Sequence, residues 1–378
     1  MPTQFTATVK PSGGDYTSLS NAVTGLANNI TAADIKVFSI SAYSTPTIAA
    51  GDTVLGQTSL ATGVCVLVNA ARTQILIKTI AVASFLSGEV VQKTADANVN
   101  VTLSNAGDSP IVGIACYSMS DTTPVLISGY TTSATNYINI HTPLSERHDG
   151  KWNNGKYRLE ITSDDNAIYI DTVEYVKIIG LQIDIIISNR RAIYTNSNYT
   201  EVGYSIIRST QIGGGWRGID SALIIYNNVI YNFNMDNDSF GIVYSPYVYN
   251  NTIYNCYYGY SSVDITDVIK NTISYNNTVD FNGIFDDALA NYNFSKDNSA
   301  PGPNSIHGTT ESKTPDFVNT GAGTEDFHIQ STSDARNVGT DNPGSGLYMD
   351  DINSYTRSSP WDIGAAEYIN KHNNAYII

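Results

Sequence analysis

Cysteine and long apolar runs are both scarce in this sequence of 378 residues. The three cysteines, Cys65, Cys116 and Cys256, are too few and too far apart for a disulfide framework or a zinc site, so we expect small buried side chains. No stretch reaches the ~18 consecutive apolar residues of a membrane-spanning helix. The sequence therefore predicts no membrane as a partner.

Positive charge is also scarce. Lys and Arg number 20 against 35 Asp and Glu, which gives a net charge of −15, and only 15% of the residues are charged. Such a field repels phosphate backbones, and the sequence contains no run of Lys and Arg, so we expect no nucleic acid as a partner. The first residues, Met1–Thr6, lack the basic and apolar regions of a signal peptide. We therefore expect a protein that is made and folds in a cytoplasm.

Isoleucines recur at a nearly constant interval through the middle of the chain, and this is the main positive feature. The intervals are 23, 24, 23 and 20 residues, for Ile183, Ile206, Ile230, Ile253 and Ile273. A second track runs out of phase with the first, at Ala167–Ile168, Ala192–Ile193, Gly218–Ile219, Gly241–Ile242, Gly259–Tyr260 and Gly283–Ile284. Two short β-rich segments in each turn of ~20–25 residues are typical of stacked coils. The sequence predicts an all-β fold, a right-handed parallel β-helix; the alternative is a β-sandwich with coincidental spacing.

Two further segments precede the repeat. Residues 1–47 are predicted to form an N-terminal cap with the first β-helix strands, because Leu19, Ala22 and Val23 follow the spacing of a short amphipathic helix. Residues 48–113 are poor in Asn and Tyr and rich in Ala, Val, Thr and Gly. They predict an inserted small antiparallel β domain, which solenoids accept at their turns because each coil contacts only its neighbours.

The repeat itself occupies residues 114–300 and is followed by a different pattern. Ala300–Pro303 interrupts the period, and residues 301–378 are predicted to be the closing segment of the β-helix. We therefore divide the chain into four segments, of which the third carries the stacked coils.

Acidic side chains were considered as catalytic or metal-binding groups, and the sequence assigns none of them to catalysis. Asp164–Asp165 has no acidic counterpart one coil later, where the residues are Asn189–Arg191. A glycoside hydrolase needs paired carboxylates within reach of each other. Asp236 and Asp238 have oxygen ligands suited to Ca²⁺, but the same pattern is typical of an ordinary polar turn. Calcium at these two residues is therefore one expectation, and no cofactor is the other.

A ligand-binding edge is predicted from the longest turns of the repeat. These turns contain Arg190, Arg191, Trp216, Arg217, Tyr257 and Tyr258. Arg191, Arg217 and Tyr258 each lie two residues before the second-track residue of their coil, so stacking is expected to place them roughly ~5 Å apart, one above another. Arginine beside aromatic rings suits acidic sugars or the carboxylates of a partner. The alternative is that the two arginines only neutralise nearby aspartates.

The last part of the chain resembles the closing segment of right-handed β-helix repeat proteins of the pectate-lyase-like superfamily. The residues that carry the resemblance are Thr314–Val318, Asp326–Ile329, Asn337–Gly339, Asp350–Ile352, Arg357 and Asp362–Tyr368. Gly14–Leu19, Ile127–Thr132, Asn136–Ile138 and Arg147–Trp152 resemble the opening of the same proteins. The inserted segment, in which Gly51–Val54 recurs loosely as Gly88–Val91, looks like small β domains of tailed-phage structural proteins. The superfamily contains lyases, hydrolases, phage tailspikes and inert structural stalks, so fold alone does not decide activity.

The lack of a signal peptide, the insert that resembles phage β domains and the lack of a convincing acid pair favour a virion protein of a tailed phage as the leading hypothesis. It would be a non-enzymatic β-helical decoration or appendage of the capsid or tail, with other virion proteins as partners and a homo-oligomer, such as a trimer, as its state. The first alternative is a tailspike-like receptor-binding protein or depolymerase that acts on host surface polysaccharide, with a host glycan as ligand. The second is a bacterial polysaccharide lyase. If the protein is an enzyme, we expect a lyase or a glycoside hydrolase.

Overall fold

β-strands dominate the computed structural model, which describes residues 1–80, 83–187, 189–211, 216–262 and 264–370. The strands are β1 Thr3–Val9, β2 Ile35–Tyr43, β3 Thr53–Gly56, β4 Thr62–Val68, β5 Gln74–Thr79, β6 Val90–Lys93, β7 Asp96–Leu103, β8 Pro110–Cys116, β9 Ser120–Asp121, β10 Val125–Ile127, β11 Ile138–His141, β12 Arg158–Ile161, β13 Ile168–Ile170, β14 Val176–Ile179, β15 Gln182–Ile185, β16 Arg191–Thr195, β17 Thr200–Gly203, β18 Ile206–Ser209, β19 Arg217–Asp220, β20 Ile224–Tyr226, β21 Val229–Tyr231, β22 Phe240–Val243, β23 Tyr247–Tyr249, β24 Thr252–Tyr254, β25 Tyr258–Ser261, β26 Val268–Lys270, β27 Ile273–Tyr275, β28 Val279–Asn282, β29 Phe294–Ser295, β30 Ile306–His307, β31 Phe317–Asn319 and β32 Asp326–Ile329.

Helices are few and short. They are α1 Leu19–Gly25, α2 Gly308–Glu311 and a 3₁₀ turn at Leu144–Glu146. The predicted cap helix is present as α1, and its N-cap Ser18 accepts a hydrogen bond from the Asn21 amide at 3.2 Å. None of the helices in the described ranges combines the length and the apolar character that crossing a membrane requires.

Three parallel sheets form the predicted β-helix, and a complete coil contributes one strand to each sheet. Their strand orders are β1-β8-β11-β14-β17-β20-β23-β26, β10-β13-β16-β19-β22-β25-β28 and β30-β29-β27-β24-β21-β18-β15-β12-β9. In the second sheet Ile193 pairs in register with Ile219, then Ile242, Tyr260 and Phe281. This ladder of buried side chains is the reason for the second track in the sequence, because inward positions of successive coils lie over one another. The predicted fold class is confirmed.

The register corrects both isoleucine tracks. Ile183 pairs with Ile207 and not with Ile206, and Ile253 pairs with Ser274 and not with Ile273. Ile206 and Ile273 lie one residue away, on the opposite face of the third sheet, because side chains alternate between the two faces of a strand. At the end of the second track Ile284 is 76% exposed, whereas Phe281 occupies the inward position.

Asparagines explain the near-identical turns of successive coils. Asn227, Asn250 and Asn271 have positive φ of 53, 49 and 55°, a conformation that Asn tolerates better than most residues. The next residues, Asn228 and Asn251, are fully buried, and the Asn251 side chain accepts from the Asn228 amide at 3.0 Å. The repeated Asn–Asn pair therefore combines a left-handed turn residue with a buried ladder of side-chain amides.

A closed antiparallel barrel accounts for the predicted small β domain. Its strand order is β2-β5-β4-β3-β6-β7, so the strands run from Ile35 to Leu103, and β8 belongs to a parallel sheet. The barrel has its own core, in which Phe38, Val54, Ile77 and Val101 are buried. The strand β2, which the sequence led us to place with the β-helix, closes the barrel by pairing with both β5 and β7. The predicted limits 48–113 of an independent domain stay a prediction.

The closing segment covers the outer face of the third sheet. Ile206, which faces outward, belongs to a buried cluster with Phe327, Ile352 and Ala365 from the segment. The Arg357 side chain is buried, and it donates to the Asn227 side chain at 2.8 Å and contacts Glu367 at 3.3 Å. The predicted closing segment thus seals outward apolar positions that would otherwise be exposed; its residues 371–378 lie outside the described ranges.

The chain comprises two compact units. The first consists of Met1–Met119, Val125–Pro143 and Ile170–Lys177, and it contains α1 and the barrel. The second consists of Ser120–Pro124, Leu144–Tyr169 and the chain from Ile178 onward, and it contains most of the coils together with the closing segment. All residues of the predicted ligand-binding edge belong to the second unit.

Candidate functional site

The predicted edge residues follow one row of the second sheet. Arg191 pairs with Arg217, Arg217 with Phe240, and Phe240 with Tyr258. The predicted stacking of Arg191 on Arg217 is confirmed, but Tyr258 is not the next residue of the row, because Phe240 lies between it and Arg217. We call this row, together with Tyr194 and Trp216, the arginine–aromatic face.

Two arginines share one aspartate at the centre of this face. The Arg191 Nε atom lies 2.6 Å from Asp220 Oδ2, and the Arg217 Nη1 atom lies 2.9 Å from the same oxygen. Arg217 also contacts Asp238 Oδ1 through Nη2, at 2.9 Å. Asp220 is buried, and these charge-assisted hydrogen bonds offset the cost of removing its side chain from water. The neutralising role that we considered as the alternative is therefore present, whether or not the face also binds a ligand.

Aromatic rings enclose the two guanidinium groups. The Arg191 guanidinium carbon lies 4.3 Å from the Tyr194 ring centre and 4.5 Å from that of Trp216. Trp216 also lies 4.3 Å from the guanidinium carbon of Arg217. The separations are in the range of cation–π attraction. These contacts fix the planes of the arginines, so the face is held in one arrangement before any ligand arrives.

The aromatic surface continues on both sides of the arginines. Tyr169 and Tyr194 stack at 5.2 Å with 8° between their planes, and Phe240 and Tyr258 stack at 5.1 Å and 18°. Tyr257 packs edge-on against Tyr258. Sequence reasoning missed Tyr169, Tyr194 and Phe240. The spacing of 25 residues between Tyr169 and Tyr194, one coil length, was the signal that could have identified the first pair.

The other two predicted features of the edge are polar surface contacts. Arg190 pairs with Asp164 at 2.7 Å, and the Asp164 side chain is 76% exposed. Asp236 accepts hydrogen bonds from the Asp238 amide at 2.9 Å and from the Ser239 hydroxyl at 3.1 Å. Asp238 binds Arg217, so both candidate calcium ligands already have protein donors. In the part of the chain that the structure describes, no three His, Cys, Asp or Glu side chains converge as a metal site would require.

A groove of about 680 Å³ lies elsewhere in the second unit, and sequence reasoning did not identify it. Its lining includes Lys151, Asp326, His328, Asn353, Tyr355 and Tyr368. The His328 ring is held between the Asp326 carboxylate and the Asn353 side chain. Burial alone disfavours the imidazolium, but the hydrogen bond and charge of Asp326 outweigh it and raise the pKa of His328. In contrast, burial and the neighbouring Arg147 lower the pKa of His148 to about 3.

The histidine pair was not recognisable as a unit from the sequence. His148 and His328 are 180 residues apart, and only the closing segment brings the second one to the groove. Comparisons with family models, with curated proteins and with solved structures gave no match for this chain. Any assignment of function therefore depends on the geometry and on the sequence resemblance described above.

Proposed function

We propose that this protein is a non-enzymatic structural component of a tailed-phage virion, a β-helical decoration or appendage of the capsid or tail. The observation that carries the proposal is the combination of a parallel β-helix with a closed antiparallel barrel in one chain. The barrel occupies the part of the sequence that resembles small β domains of phage structural proteins. The closing segment resembles those of β-helix repeat proteins, whose superfamily includes phage tailspikes and structural stalks.

The physical character of the fold suits a structural role. Each coil contacts only its neighbours, so the stack forms a continuous row of backbone hydrogen bonds along its axis. The barrel adds a second module with a separate core. Two modules with separate cores allow one of them to serve attachment and the other to form the body of an appendage.

The test is to look for the protein in particles. Virions are purified on a density gradient from the phage that encodes the chain, and the bands are analysed by mass spectrometry and by labelling with a specific antibody in electron microscopy. We expect the protein to co-migrate with infectious particles and the label to lie on the head or tail. Its absence from particles, together with its presence in the soluble lysate, contradicts the proposal.

A second candidate function is the binding of host surface glycan, and the arginine–aromatic face favours it. Flat apolar faces of sugar rings pack on aromatic rings, and arginine donates to hydroxyl or carboxylate oxygens. Trp216 is partly exposed between two oriented arginines, and two stacked aromatic pairs extend the same surface. A repeating polymer that lies along the coils would meet these rings in succession.

The glycan test compares variants of the face with a matched surface variant. Trp216→Ala and Tyr194→Ala are expected to weaken binding to polysaccharide from host cells about tenfold each, which corresponds to roughly 1.4 kcal/mol. Tyr247→Ala is the control, because Tyr247 is 41% exposed and lies on the first sheet. Unchanged affinity in both face variants, with unchanged stability, would leave the face with its neutralising role alone.

A further inference from the structure

One end of the barrel carries a cluster of exposed apolar side chains. Leu60 is 68% exposed, Ile80 65%, Leu86 45% and Val90 37%. They lie in or beside the β3–β4 and β5–β6 connections, which meet at the same end because neighbouring strands are antiparallel. We call these four residues the apolar rim. Large apolar side chains that remain in water on a small module usually mark a contact surface.

A buried carboxylate holds the rim in place. Glu89 is 4% exposed, and it accepts hydrogen bonds from the Ser59 amide at 3.0 Å, from the Ser59 hydroxyl at 2.9 Å and from the Leu86 amide. The two rim loops are thus tied to one another. Leu60 has a φ of 55°, which is uncommon for leucine and directs it outward. A surface that is fixed before association loses less conformational entropy when it associates.

The rim is also free of exposed charge in a strongly acidic protein. The two loops, 56–62 and 79–90, contain a single charged residue, the buried Glu89. Residues 35–109 contain four Lys or Arg and four Asp or Glu, so the remaining residues carry 16 positive and 31 negative charges, the whole net charge of −15. Two copies of the chain repel each other through their solenoids and not through their barrels. The barrel is therefore the part by which two copies can approach.

A cavity opens at the same end of the barrel. Its volume is about 240 Å³; Phe38, Ala83, Phe85 and Ala106 form the apolar part of its lining, and Asp34, Lys36, Thr79 and Ser84 form a polar part. Phe38 and Phe85 pack edge-to-face at 5.7 Å within the lining. The cavity has room for a leucine side chain, and its two phenylalanines offer apolar contacts beside the oppositely charged Asp34 and Lys36. A projecting leucine and a cavity on one surface are the two complementary halves of a twofold contact.

We propose that two copies of this chain pair through the apolar rims of their barrels, with Leu60 of each copy seated in the Phe38–Phe85 cavity of the other. Twofold symmetry produces this contact twice in the dimer, and Ile80 and Leu86 extend the apolar surface beside each contact. The contact surface is small by comparison with stable dimers, so the association is weak and concentration-dependent. The proposal concerns the isolated chain and does not depend on the virion role.

The experiment is sedimentation velocity of the recombinant full chain over a range from about 5 to 500 µM, since weak interfaces have dissociation constants in the micromolar range and above. We expect the wild type to shift from monomer to dimer across this range. Leu60→Asp removes the projecting side chain and Ala106→Phe fills the cavity, and each is expected to remain monomeric. An equimolar mixture of the two is expected to recover part of the dimer, because one intact leucine then meets one intact cavity.

The matched control is Leu144→Asp. Leu144 is 65% exposed and lies in the second unit, so its replacement changes charge and exposed apolar area by the same amount away from the rim. It is expected to dimerise like the wild type. The proposal is overturned if the wild type stays monomeric, if Leu60→Asp dimerises normally, if Leu144→Asp prevents association equally, or if the mixture shows no recovery. Circular dichroism of each variant distinguishes lost association from lost folding.

Discussion

At the scale of single residues, buried polar side chains form hydrogen bonds with backbone groups of the coils. The Asn251 side chain is fully buried, accepts from Asn228 and donates to the carbonyls of Ile225 and Tyr249, each at 3.0 Å. Thr272 continues the row with its own amide bound to Asn293. Turns of a solenoid have no strand partner within their own coil, so a buried amide that reaches the next coil satisfies groups that would otherwise remain unpaired.

Replacement of one member of this row tests its contribution. Asn251→Ala removes three hydrogen bonds to buried backbone groups, each of which contributes about 0.5–1.5 kcal/mol, so we expect a total loss of roughly 3 kcal/mol. The measurement is urea unfolding followed by circular dichroism. Asn255→Ala is the control, since Asn255 is half-buried and its side chain donates to Asn232 at the surface. Equal losses in the two variants would show that the buried row has no special contribution.

A buried aspartate predicts a pH dependence at the same scale. Burial and the charge of Asp297 raise the pKa of Asp280 to about 7. Because this pKa lies above the ordinary aspartate value of 3.8, the folded state binds the proton more tightly than the unfolded state. The contribution of protonated Asp280 to the free energy of unfolding is complete below about pH 4 and is lost as the pH rises through 7. Between these pH values the free energy of unfolding falls with a slope that approaches about 1.4 kcal/mol per pH unit.

The variant Asp297→Asn separates the effect of the Asp297 charge on the pKa of Asp280 from the effect of burial. Removal of the Asp297 charge lowers the pKa of Asp280, so the loss of stability is expected to begin at the same pH and to end at a lower one. Urea unfolding between pH 4 and 8 measures the slope in both proteins. The pH dependence of the variant serves as the reference for all other titrating groups. The expectation is contradicted if the wild type and the variant lose stability with the same slope over this range.

At the scale of elements, the closing segment is the decisive one, because it converts outward apolar positions into a second core. Phe327 of β32 packs against Tyr231 at 5.2 Å and Tyr254 at 5.1 Å, two residues that occupy one outward row of the third sheet. Phe317 of β31 lies 5.3 Å from Phe327. The hairpin is therefore attached through rings, whereas Arg357 attaches the chain that follows through hydrogen bonds.

Loss of the central ring is expected to loosen the hairpin. Phe327→Ala removes a side chain that is 3% exposed, and we expect a cost of about 3–5 kcal/mol for a buried phenylalanine. Limited proteolysis should then cut between residues 314 and 331 before it cuts the coils. Val318→Ala in the same hairpin is the control, because Val318 is 52% exposed and its replacement leaves the packing unchanged. Digestion that begins within the coils would show that the segment does not act as a unit.

At the scale of the whole molecule, the two compact units predict unfolding in more than one step. The barrel core and the coils consist of separate buried clusters, and a single transition requires that they unfold together. Coil stacks behave as chains of neighbouring contacts, while a small barrel unfolds as one body. The part with the less stable core, the barrel or the coil stack, is expected to unfold at the lower temperature.

Two core substitutions distinguish these transitions. Ile77→Ala in the barrel and Ile253→Ala in the coils each remove a fully buried side chain, and each is expected to cost about 2–5 kcal/mol. Differential scanning calorimetry should show that the first lowers one transition and the second lowers the other. If both variants shift one common transition by similar amounts, the molecule unfolds as a single cooperative body.

The sequence by itself determined the class of fold, because the interval between apolar segments follows from coil length and the Asn–Asn pairs follow from the turns that need them. It also determined the cap helix, the antiparallel character of the small β unit and the stacking of Arg191 over Arg217. Each of these depends on local pattern, which successive coils repeat.

Only the tertiary structure decided register and partners. Ile206 and Ile273 carry the same residue type as the inward ladder, and yet they face outward, because a shift of one residue reverses the face and coils of unequal length permit that shift. Phe240 stacks on the row of Arg217, and Asp220 binds Arg191, through contacts between successive coils. The strand β2 joins the barrel through pairing with β5 and β7, which follow later in the chain. An apolar alternation predicts a strand but carries no information about which strand will lie beside it.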